Sequence, residues 1–96
     1  MKRRKMLEAA TRAVCEERDQ VYGGPEDNFN VVACLWTAYT GKLITPADVA
    51  AMMVLFKVAR VKASRGQSSD SWMDIAGYAA CGSEIALGDE GGEIQC

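Results

Sequence analysis

The sequence predicts an all-α domain built from four helices. Apolar residues recur at three- and four-residue spacing in four separate stretches. No stretch shows the sustained alternation of a half-buried strand. Pro25 and Pro46 stand where two of the periodic stretches begin, and Gly23, Gly24, Gly41 and Gly66 fall between stretches. A chain of 96 residues, 49% hydrophobic and 25% charged, fits one small domain with its own core and leaves no room for a second. The domain is expected over residues 1–87, followed by a flexible acidic, glycine-rich tail over 88–96.

The first helix is expected from Lys2 to Val21, with Leu7, Ala10, Val14 and Val21 as its apolar stripe. Tyr22, Gly23 and Gly24 end it, because glycine adopts the left-handed cap conformation without a side-chain clash. Pro25 opens the second helix, with Glu26 and Asp27 complementing its positive end. Phe29, Val32, Ala33, Trp36 and Tyr39 give that helix a broad apolar face up to Gly41. Thr45-Pro46-Ala47-Asp48 reads as a helix start with a capping box. The third helix then runs to Ala63 and is apolar on nearly every side, which predicts a central position. A polar loop, 64–69, precedes the fourth helix over Asp70 to Leu87, where Ser71 and Asp74 form a Ser-x-x-Asp capping pattern. Gly77 and Gly82 lie inside it. Each costs about 1 kcal/mol against alanine, a loss that a close backbone approach would offset.

Eleven basic against thirteen acidic side chains give a net charge of -2, which argues against a nucleic-acid binder held by a general positive field. The basic cluster Lys2, Arg3, Arg4 and Lys5 reads as a solvated arm. Four cysteines without a Cys-x-x-Cys pair or any histidine argue against structural zinc and point to a reducing compartment rather than a disulfide scaffold. Neither a signal-peptide core nor a membrane span is legible, since Glu8, Arg12, Lys57 and Arg60 interrupt the apolar runs. A cytoplasmic protein is expected, acting in the host cytoplasm if phage-encoded. The second and third helices carry more apolar surface than a small bundle covers, which predicts a homo-oligomer.

Lys57 and Arg60 are three residues apart on an otherwise apolar helix. Such charges meet carboxylates, extend to solvent along their aliphatic stems, or bind an anion such as a phosphate. On the fourth helix Asp70, Asp74 and Tyr78 share a face. The two carboxylates either complement the helix dipole or, with Asp48, hold Mg²⁺, which takes one or two carboxylates together with phosphate oxygens. In the turn YGGPEDNF, Asp27 and Asn28 are candidate ligand contacts beyond what capping requires. Trp36, Tyr39, Trp72 and Tyr78 read as core or interface aromatics, with Tyr78 also a candidate ligand contact.

The blocks YGGPEDNF, LWTAYTG, ITPADVAAMMVLFKVAR and DSWMDIAGYAACGSE, in that order between Glu17 and Ile85, resemble a family of small phage and prophage proteins. That family is distantly similar to the all-α nucleoside triphosphate pyrophosphohydrolases of MazG type. The resemblance implies an oligomeric four-helix bundle and a nucleotide or other phosphate-containing small molecule as ligand. MazG-type enzymes hold Mg²⁺ with Glu-x-x-Glu on one helix and Glu-x-x-Asp on a following one. Asp70 and Asp74 match the second motif in part, four apart and beginning with Asp. The first motif is missing, since Val49, Ala50, Ala51 and Met52 follow Asp48. Two expectations follow: a phage protein that binds, and so sequesters, a nucleotide such as a host defence signal, or a divergent Mg²⁺-dependent pyrophosphohydrolase. A structural interaction module is the third.

Overall fold

The computed structural model describes residues 1–17 and 25–88, the side chains of residues 17 and 25–27 excepted. Four α-helices form it: α1 (Arg3–Arg12), α2 (Pro25–Thr40), α3 (Pro46–Ala63) and α4 (Ser69–Ala86). Among the described residues there is no strand, and no helix is long and apolar enough to cross a membrane.

The expected long first helix is regular only to Arg12. A π-helical turn over Ala13–Glu17 continues it, and the expected stretch to Val21, with Tyr22 to Gly24, lies outside the described residues. Each hydrogen bond of a π turn spans one residue more than in an α-helix, so the side chains beyond it are rotated off the original stripe. Leu7 is not part of the core: it is 54% exposed, whereas Ala10 is buried and Val14 half-buried. Small residues along this face let α1 lie against α4.

The central element is α4, not α3. Among the described residues α4 packs against α1, α2 and α3, while α3 meets only α2 and α4. Side-chain size explains the exchange of roles. With Ala76, Gly77, Ala79, Ala80 and Gly82, α4 has little bulk to hold neighbours away, whereas the bulky Met52, Leu55, Phe56 and Val58 of α3 point outward and stay 41–67% exposed. A Cβ built on Gly82 would come within 2.9 Å of the Ala50 Cβ, so here the helix backbones meet as closely as the sequence suggests. Gly77 is less constrained, since a Cβ there would lie 3.8 Å from Val14. The core joins Phe29 and Ala33 of α2, Val49 and Ala50 of α3, and Cys81 and Ile85 of α4.

Local bonds close both connections. Between α2 and α3 the Thr37 hydroxyl accepts from the Ile44 N–H at 2.9 Å and donates to the Ile44 carbonyl at 3.2 Å. Gly41, at φ +73°, makes the reversal. The capping box at α3 has both of its bonds: the Asp48 N–H donates to Thr45 Oγ1 at 3.1 Å and the Thr45 N–H to Asp48 Oδ2 at 3.0 Å. At the other end of α3, the Gly66 N–H reaches the Val61 carbonyl and the Arg65 N–H the Lys62 carbonyl, the two bonds of a Schellman motif. Its left-handed position is held by Arg65, at φ 55°. Ser68, three residues earlier than the expected Ser71, caps α4: its hydroxyl accepts from the Ser71 N–H at 3.2 Å. Trp72 is not a core residue, being 47% exposed, and its indole N–H donates to the Gly66 carbonyl at 3.1 Å. Neither Cys15, which is exposed, nor Cys81, which is buried, is in a disulfide, whereas Cys34 is disulfide-bonded.

Candidate functional site: a cation pair between α3 and α4

The connection between α3 and α4 is short, so α4 runs back along α3. The contact of Ala50 with Gly82 and the ion pair of Lys57 with Asp74 lie on this antiparallel register, one pair seven residues further along α3 and eight further back along α4. Lys57 Nζ stands 3.0 Å from Asp74 Oδ2, with the two side chains 22% and 36% exposed. At that exposure the pair contributes at most about 1 kcal/mol.

Arg60, one turn on from Lys57, is exposed, and among the described residues no carboxylate pairs with it. Its guanidinium carbon lies 5.2 Å from the centroid of the Phe56 ring, and Lys57 Nζ lies 5.7 Å from the same centroid. The ring's quadrupole draws both cations to one place. Phe56 was read from the sequence only as an apolar residue. The signal for its role was its spacing, four residues before Arg60 and directly before Lys57.

Asp74 and Tyr78 also line a cavity of about 120 Å³ between α4 and the end of α1, whose other walls include Ala13, Val14, Met73 and Gly77. Tyr78 stands on the Phe29 ring, with centroids 6.1 Å apart. That contact brings the start of α2 near the middle of α4, and with it the half-buried Asn28. The side chain of Asp27 lies outside the described residues.

The three candidate metal carboxylates are not brought together. Asp70 is exposed in the first turn of α4, one turn before Asp74, which is engaged with Lys57. Asp48 caps the far end of α3, and nine residues of helix place it on the side opposite Lys57. Among the described residues no three acidic, cysteine or histidine side chains converge on a point where a metal ion would sit.

With the geometry in view, the chain can be set beside known proteins. The family of the domain of unknown function DUF6378 matches residues 5–86. The Gene 55 protein of Mycobacterium phage D29 is 46% identical over 76 residues, covering 79% of this chain and 50% of that protein. The Gene 55 protein of Mycobacterium phage L5 is 38% identical over 86 residues, covering 88% and 54%. The chain thus spans about half the length of the curated relatives it matches. No solved structure matches it.

Proposed function

We propose, for a chain that belongs to the DUF6378 family, that it is a phage protein binding a phosphate-bearing small molecule, a nucleotide in the simplest case, without hydrolysing it. The observation that carries this reading is the arrangement around Phe56: two cations over one ring, with a carboxylate paired to one of them. Lys57 is neutralised by Asp74, whereas Arg60 meets no carboxylate among the described residues, so there the cluster keeps a net positive charge at a half-exposed position. An arriving phosphate meets a guanidinium free to make a bidentate fork and an ammonium that exchanges a carboxylate for a phosphate oxygen. The cavity beside Asp74, walled by apolar atoms and the Tyr78 ring, supplies a place for the uncharged part of such a ligand. Binding is favoured over hydrolysis because, of the candidate metal ligands, Asp48 caps the start of α3 away from Asp70 and Asp74, and among the described residues no third carboxylate joins these two. A protein that binds and does not turn over withholds its ligand from other users.

A thermal-shift and calorimetric series with nucleoside mono-, di- and triphosphates, with and without Mg²⁺, tests the proposal. A bound ligand raises the melting temperature by an amount that grows with the logarithm of its excess over the dissociation constant. Arg60→Ala should weaken binding by roughly ten- to hundredfold, the scale of a lost charge-assisted hydrogen bond. Because Arg60 is exposed and has no carboxylate partner among the described residues, the same change should alter stability by no more than about 0.5 kcal/mol. Unchanged affinity in folded Arg60→Ala protein, or no melting shift with any phosphate compound at millimolar concentration, would overturn the reading. Release of pyrophosphate with Mg²⁺ would replace it with the enzymatic one.

A further inference from the structure

Among the described residues nothing covers the outer face of α3, and its sequence is self-complementary. Residues advance about 100° each around a helix, so Asp48, Ala51, Met52, Val58, Ala59 and Lys62 all lie within about 60° of Leu55. Every one of them is exposed, Leu55 by 67%, Val58 by 48% and Met52 by 41%. The face also has a centre. Met52 and Val58 stand three residues either side of Leu55, Ala51 and Ala59 four, and Asp48 and Lys62 seven. Asp48, Ala51, Leu55, Val58 and Lys62 repeat at alternating spacings of three and four, the seam of a two-helix coiled coil.

We infer that this face is where a second copy of the chain docks, with α3 antiparallel to the partner's α3 and Leu55 on the two-fold axis. A two-fold interface brings the same patch together from both chains, so residues equally far before and after the axis oppose each other. Antiparallel pairing then sets Asp48 against the partner's Lys62 at one end and Lys62 against the partner's Asp48 at the other. Parallel pairing would oppose Asp48 to Asp48 and Lys62 to Lys62, so charge selects the antiparallel arrangement. Ala51 and Ala59 flank Leu55 by one turn and leave room for the helices to approach. The capping box does not compete, since it engages only the Oδ2 oxygen of Asp48. Lys57 lies on the opposite side of α3, so this interface stands or falls independently of the ligand site.

The full chain at micromolar concentration should scatter light as a particle of twice its 10.4 kDa mass. Leu55→Glu places two like charges on the axis and should raise the dissociation constant by on the order of a hundredfold or more, with the helical spectrum kept. Leu35→Glu, on the exposed side of α2, should leave the mass unchanged. Lys62→Glu sets carboxylates opposite each other at both ends and should weaken the dimer by about tenfold, and adding Asp48→Lys should restore it in protein whose helical spectrum is kept, since that change also removes the capping box. A monomer at 100 µM, in the range of about -5.5 kcal/mol of association or weaker, would overturn the inference. So would a dimer that survives Leu55→Glu, or a double charge reversal no tighter than Lys62→Glu alone.

Discussion

Gly77→Ala and Gly82→Ala add the same methyl group to the same helix and should move stability in opposite directions. Each gains about 1 kcal/mol in helix propensity. At Gly77 the new Cβ would lie 3.8 Å from Val14 Cβ and 4.0 Å from Val14 Cγ2, ordinary contact distances that add a few tenths of a kcal/mol at most. Gly77→Ala should therefore stabilise the fold by about 1 kcal/mol. At Gly82 the new Cβ would stand 2.9 Å from the Ala50 Cβ, well inside the optimum of roughly 3.5–4.0 Å. An alanine methyl has no torsion by which to swing aside, so the α3 and α4 backbones must separate. Overpacking of this kind costs about 1–3 kcal/mol. After the propensity gain, Gly82→Ala should be neutral to about 2 kcal/mol destabilising, leaving a gap between the two variants of about 1–3 kcal/mol. Urea unfolding followed by far-ultraviolet circular dichroism measures the gap as a shift in midpoint at constant slope. Adding Ala50→Gly to Gly82→Ala removes the clash and should show a coupling of about 1 kcal/mol or more in a double-mutant cycle. If Gly82→Ala stabilises as much as Gly77→Ala, the close crossing of α3 and α4 is wrong.

Two further substitutions probe the helix ends. Arg65→Gly relieves a side chain held at φ 55° and should stabilise the chain by about 0.5–1 kcal/mol, seen as a higher melting temperature; a lower one would show that the Arg65 side chain has a role in the loop. Thr45→Ala breaks half of the capping box and should cost about 1 kcal/mol in chemical unfolding, with Thr45→Ser keeping most of it; equal losses for both would point to the Thr45 methyl group rather than its hydroxyl.

The starts of α2 and α3 were legible because proline and the Thr-x-x-Asp pattern encode them within four residues. The extent of α4 was legible to within one residue at each end, although the cap is Ser68 and not the expected Ser71. The π turn was not, since nothing in Ala13-Val14-Cys15-Glu16-Glu17 distinguishes a five-residue hydrogen-bond span from a four-residue one. The order of packing misled as well. Hydrophobicity on all sides of α3 suggested a buried helix, but in a chain this small the centre went to α4, whose glycines and alanines admit three neighbours. In the candidate site, the shared face of Lys57 and Arg60 followed from spacing alone, whereas the choice of Asp74 over Asp70 as partner depends on the α3–α4 register, which one sequence does not contain. The separation of Asp48 from Lys57 was available by counting nine residues around a helix.

The bonds that close the two connections reach over very few residues, seven between Thr37 and Ile44 and five between Val61 and Gly66. Bringing together groups so near along the chain sacrifices little entropy, and segments of that length find one another in well under a microsecond. The stretch from α2 through α4 is in this sense a series of locally sealed hairpins, a topology associated with folding in microseconds to milliseconds. Each hairpin can form as soon as its second helix has left the ribosome. In this chain α1 is made before α2 and α3, yet its packing partner α4 is made after both. Synthesis therefore leaves α1 waiting, and the closure of α1 on α4 is the step whose timing depends on completion of the chain through residue 86.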